Sequence, residues 1–134
     1  MFDKVLFNKI CSLECSLNEL KSFFDGIENR KFDTDSPFKK YYSFDLIKEA
    51  LDRYKSGEIS CEYLRYWTNA YNLIIKGGFF SAEIIDEDEM TQAQFAESEI
   101  SSLLDSLSFI DEPEKSEIDY YLELFLTYNG MLKE

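Results

Sequence analysis

Two apolar stripes joined by a four-residue link constrain this chain more than any other feature. After Ser43, residues Leu46, Ile47, Ala50, Leu51 and Tyr54 recur at intervals of three and four, the spacing that gathers side chains on one face of an α-helix. Ser43 offers an N-cap oxygen, Asp45 places negative charge in the first turn, and Lys55 and Gly57 mark the end. Beyond Gly57-Glu58-Ile59-Ser60, Ser60 caps a second segment. Its face is Leu64, Trp67, Tyr71 and Ile74, with Tyr63, Ala70 and Ile75 beside it, and Gly77-Gly78 ends it. So short a link makes the two helices packed neighbours.

Helical spacing recurs elsewhere. Ser16-Leu17-Asn18-Glu19 has capping-box spacing and opens a helix to about Glu28, with Leu17, Leu20, Phe24 and Ile27 on one face and Phe23 widening it. Thr91-Gln92-Ala93-Gln94 repeats that signature ahead of Phe95, Ile100, Leu103, Leu104 and Leu107. Pro113 fits the first position of a last helix, with core stripe Ile118, Tyr121, Leu122, Phe125, Tyr128 and Leu132, and Gly130 as its cap. Residues 2–14 fit a helix or a strand, and residues 79–85 fit a short strand or a helix start. Residues 29–42, with Asp33-Thr34-Asp35-Ser36-Pro37, read as a connection. With 134 residues, 45% of them hydrophobic and 16% aromatic, the chain can build one core. The expectation is an all-α fold, or a mainly α fold with at most a short strand pair. It is a compact bundle of five to six helices in a single domain over residues 1–134.

Charge divides the chain in two. Residues 1–76 carry twelve Lys or Arg and twelve Asp or Glu. Residues 77–134 carry only Lys115 and Lys133 against fifteen acids, a balance of −13 that equals the formal charge of the whole chain. One-signed charge repels itself in the compact state, disfavours phosphate-bearing partners and attracts basic ones. Direct nucleic-acid binding is therefore not expected. The helices at 43–56 and 61–75 are spaced like a helix-turn-helix, but the second begins with Cys61, Glu62 and Tyr63, a poor approach to phosphate.

The usual chemical equipment is absent from the sequence. The chain has no histidine, which removes the commonest general base near neutral pH and any intramolecular Ser-His-Asp or Cys-His arrangement. No Gly-rich phosphate loop and no Cys-x-x-Cys occurs. Cys11, Cys15 and Cys61 make an odd set, read as reduced, partly buried small hydrophobes; Cys11 and Cys15 share a helix face if residues 2–14 are helical. Glu83, Asp86, Asp88 and Glu89 form a candidate divalent-cation set without the EF-hand glycine. Glu97 and Glu99 diverge on a helix. No enzyme activity and no cofactor are expected. No apolar run is long enough to cross a membrane, and the start lacks a leader-like apolar region, so a cytoplasmic location is expected.

What remains is binding. The candidate partner-binding residues are Glu83, Asp86, Glu87, Asp88, Glu89, Glu97, Glu99, Asp119, Tyr120 and Glu123. Tyr120 adjoins Tyr121, so the two cannot both face the core, and Tyr120 sits among carboxylates. A second candidate is a mixed patch of Tyr41, Tyr42, Tyr63 and Tyr66 with Lys39, Lys40, Arg53 and Arg65. In size and charge the chain resembles small acidic bacterial immunity proteins that neutralise toxins, and phage-type inhibitors that mimic DNA. That resemblance implies a basic protein partner. A structural or adaptor homodimer and a carboxylate-based metal protein are the alternatives.

Overall fold

In the computed structural model, which describes residues 4–25, 37–76 and 91–132, seven helices follow one another. They are α1 (Lys4–Ile10), α2 (Leu17–Asp25), α3 (Pro37–Tyr41), α4 (Phe44–Lys55), α5 (Cys61–Lys76), α6 (Gln92–Leu107) and α7 (Lys115–Met131). No strand occurs among the described residues. The fold is an all-α bundle, as the apolar spacing predicts. Residues 79–85 and the turn formers at 33–36 lie outside the described residues.

The expected starts are built as read. Ser16 Oγ accepts from the Glu19 N–H at 3.1 Å while the Glu19 carboxylate accepts from the Ser16 N–H at 3.0 Å. Thr91 and Gln94 make the same reciprocal pair. Ser43 and Ser60 hydroxyls accept from the N–H groups of Leu46 and Tyr63. Each such cap satisfies a donor that the first helical turn leaves without a partner. Gly57, at φ 83°, ends α4. The Glu58 and Gly57 N–H groups turn back to the carbonyls of Arg53 and Tyr54, a closure that needs a left-handed residue.

α5 is the axis of the bundle. It packs against α1, α2, α3, α4 and α6, while α7 lies outside, against α6 and α4. Nine of its residues are buried: Leu64, Trp67, Thr68, Ala70, Tyr71, Asn72, Leu73, Ile74 and Ile75. Along one side Tyr63, Trp67 and Tyr71 rise at i, i+4 and i+8, and each donates its polar tip to a backbone carbonyl at the end of a neighbouring helix or in the connection after it. The Tyr63 hydroxyl reaches the Cys15 carbonyl at 2.6 Å, Trp67 Nε1 the Ile10 carbonyl at 2.9 Å and the Tyr71 hydroxyl the Tyr41 carbonyl at 2.7 Å. Tyr71 also accepts from the Ser43 N–H at 2.8 Å. The Trp67 and Tyr71 rings stack, centroids 4.8 Å apart.

Several elements depart from the sequence reading. Residues 37–41 fold as α3, which Pro37 begins. α1 is helical but stops at Ile10, so Cys11 and Cys15 do not share a helix face. Leu13 closes α1 at φ 59°, a conformation normally left to glycine, and its side chain is buried in the core. α7 begins at Lys115, two residues beyond Pro113. The Pro113 carbonyl instead accepts from the Tyr54 hydroxyl at 3.0 Å, and the Glu112 N–H points to Cys61 Sγ at 3.2 Å. Gly130 lies within α7 rather than past its end. Phe95 is 41% exposed, set edge-on to Tyr128 at 6.2 Å, and buried Ala96 takes its expected place in the core.

Two stability measurements test this account. Tyr71→Phe keeps the ring and strands the Tyr41 carbonyl and Ser43 N–H, so urea denaturation should show a loss of about 2 kcal/mol. Glu112 is exposed and held at φ 41°. Glu112→Gly should therefore raise stability by about 0.5–1 kcal/mol, read as a higher melting temperature.

Candidate protein-binding surface

The surface charge of the described residues is partitioned between paired and unpaired groups. Most described acids of residues 4–76 are met by bases: Glu19 by Lys9, Glu62 by Lys21, Asp52 by Lys48, and Glu49 and Glu58 by Arg53, while Glu14 and Asp45 are not. Lys9, first by its hydrogen bond, holds the Glu19 carboxyl below its ordinary value, helped by the Ser16 N–H. Residues 91–132 carry nine acids and only Lys115. Asp119 is tied to Lys55 of α4 at 2.5 Å. Glu99, Asp105, Asp111, Glu112, Glu114, Glu117 and Glu123 form no ion pair with any described residue.

The predicted site residues fall into three groups. Glu83, Asp86, Glu87, Asp88 and Glu89 lie outside the described residues, and the candidate cation set lies there with them. Glu97 and Glu99 are half-buried on α6, about 200° apart around its axis. Glu97 borders a cleft of about 230 Å³ with Phe38, Tyr42, Ala93 and Leu132. Asp119, Tyr120 and Glu123 do come together, exposed on the outer face of α7. Among the described residues no three Cys, Asp or Glu side chains are grouped so as to hold a metal ion.

Glu117 and Leu126 are not among the binding residues singled out from the sequence, which on α7 are only Asp119, Tyr120 and Glu123. Residues three apart form a row that crosses a helix obliquely. On α7 one such row runs Glu117, Tyr120, Glu123, Leu126, all exposed, with Tyr120 at 60% and Leu126 at 57%. Tyr120 and Glu123 lie on the face opposite to Ile118 and Phe125, and Glu117 and Leu126 lie at its two edges. Phe109, 79% exposed, is not singled out from the sequence either. It borders a polar cleft of about 350 Å³ with Glu62, Arg65, Tyr66, Asn69 and Ser108.

The aromatic-basic patch does not assemble. Tyr63 and Tyr42 direct their hydroxyls inward, to Cys15 and to Asn129 Oδ1. Arg53 and Arg65 each donate to a backbone carbonyl, of Leu13 and Ile110. Lys21 lies over the Tyr66 ring, 5.6 Å from its centre, and Lys40 over that of Tyr41, at 5.3 Å. Tyr42, Tyr63, Arg53 and Arg65 thus tie elements of the fold together, while Arg65 and Tyr66 also border the cleft beside Phe109; the Lys39 side chain lies outside the described residues.

All three cysteines are free thiols. Burial, and secondarily the neighbouring Cys15, pushes the Cys11 thiol up to about 12. Burial also raises Cys15, against the lowering effect of its contact with the Tyr63 hydroxyl, and raises Tyr42, Tyr63 and Tyr71. A raised thiol is a poor nucleophile near neutral pH. These groups stay protonated in the folded chain where the unfolded chain would release protons, so stability falls as pH rises above the ordinary value. For Cys11 the window runs from 9.0 to about 12. Chemical denaturation at pH ~8 and pH ~10.5 should show wild type losing more stability than Cys11→Ala.

Comparison with family models, with curated proteins and with solved structures finds none that matches this chain.

Proposed function

We propose that the chain is a non-enzymatic acidic protein-binding module that neutralises a basic, nucleic-acid-acting partner. The observation that carries this reading is the set Glu99, Asp105, Asp111, Glu112, Glu114, Glu117 and Glu123, none ion-paired with a described residue, beside described N-terminal residues in which five acids, Glu19, Glu49, Asp52, Glu58 and Glu62, have a basic partner. Unpaired carboxylates concentrated on one part of a molecule raise its potential there, speed encounter with a basic surface and repel competing anions. In such a complex the carboxylates stand where phosphates would lie.

Self-association through this surface is less favoured, because it sets like charges against each other. Among the described residues no helix is long and apolar enough to cross a membrane. The three free thiols suit a reducing compartment, and a cytoplasmic location belongs to the same proposal.

The test is affinity capture from the source cell at low salt, with elution at about 0.5 M salt, where the Debye length falls to a few ångströms. The expected result is one or more basic proteins, released by salt and lost when Glu114, Glu117 and Glu123 are all changed to Gln. Retention of no basic protein at low salt counts against the reading.

A further inference from the structure

The outer face of α7 is more specific than a charged surface. Its oblique row alternates acid, aromatic, acid and apolar: Glu117, Tyr120, Glu123, Leu126. The four side chains span about 14 Å along the axis and step about 60° around it. The inner face of α7 is taken up by α4 and α6, and the row continues into the fold at Asn129, which accepts from the Tyr42 hydroxyl at 2.9 Å. It is therefore the free end of a fixed ridge. Tyr120 and Leu126 are large apolar side chains left exposed on a helix already packed along its other side, and the two acids between and beside them form no ion pair with described residues.

From this we infer that α7 docks a basic amphipathic helix of the partner, an inference that rests on the proposed binding function. Charge complementarity selects the occupant. Tyr120 lies one turn from both Glu117 and Glu123, so a lysine or arginine laid over its ring meets a carboxylate on either side, combining a cation–π contact with an ion pair. Leu126 then takes an apolar side chain one to two turns further along the partner. An i±3 row of this kind packs into the groove between rows of a facing helix. Asp119, held by Lys55, stands aside from the contact.

The probe is a synthetic helical peptide of leucine and lysine only, with a lysine-only peptide of equal charge as comparator. Titration at low salt, with backbone amide shifts as the map, should place the leucine-lysine peptide on residues 117–127. Binding should weaken about tenfold in Tyr120→Ala and in Leu126→Ser, which leave the charge unchanged. Glu117→Gln with Glu123→Gln should weaken it as well and flatten its salt dependence. Circular dichroism checks that each variant keeps its fold. Unchanged affinity in Tyr120→Ala and Leu126→Ser, or shifts mapped away from α7, overturns the docking site while leaving the binding function standing. A wild-type dimer dissolved by Leu126→Ser overturns it too, since the face would then belong to a second copy. Failure of wild type to bind either peptide at low salt overturns the basic-partner reading itself.

Discussion

The bundle depends on hydrogen bonds given from inside its central helix to the backbone around it. Tyr63, Trp67 and Tyr71 bury their rings along one side of α5 and extend a donor each to Cys15, Ile10 and Tyr41. The carbonyls they meet lie where α1 and α3 end and where the chain turns towards α2. Chain ends of helices carry carbonyls with no helical partner, and covering them with apolar surface is costly unless a donor arrives. The aromatic stripe supplies burial and donors together, which is how short helices such as α1 and α3 are held on a core that their own length could not secure.

Much of this was legible in the sequence, and the limits have physical causes. The capping residues Ser16, Ser43, Ser60 and Thr91 and the stop at Gly57 act within one helical turn, so their spacing alone reports them. The start of α7 was misplaced because its determinant is remote: the Tyr54 hydroxyl, on another helix, captures the Pro113 carbonyl. The tyrosines at 42 and 63 invite a surface reading because a phenol fits water and core alike. Only the tertiary position of Asn129 and Cys15 decides between them. In the candidate site, Asp119, Tyr120 and Glu123 are close in sequence on one helix, so their shared exposure on α7 follows from local spacing. Glu117 and Leu126 sit at the two edges of that exposed face, each next in sequence to a buried residue, Ile118 and Phe125, so local spacing does not separate them from the core stripe.

Charge is distributed unevenly over the described surface. Among the described residues of the first part of the chain, Glu19, Glu49, Asp52, Glu58 and Glu62 lie beside Lys9, Lys21, Lys48 and Arg53. Such exposed pairs contribute little individually, but each offsets the charge of its acid locally. Around α7 most carboxylates are left facing solvent. Those at its start, Glu114 and Glu117, gain from the partial positive charge of the helix N-terminus, whereas Glu123 is too far along the helix for that benefit.

One buried amide fixes where that surface sits. Asn72, 3% exposed in the C-terminal half of α5, accepts from Ser101 Oγ of α6 at 2.8 Å. Sliding α6 by a turn, about 5.4 Å, would bury the amide without that partner, while the apolar residues Ile100, Leu104 and Leu107 alone would tolerate neighbouring alignments. The Asn72–Ser101 bond thus works as an index mark between two otherwise greasy cylinders. Because α7 rests on α6, the mark sets the height at which the outer ridge is presented to whatever approaches it.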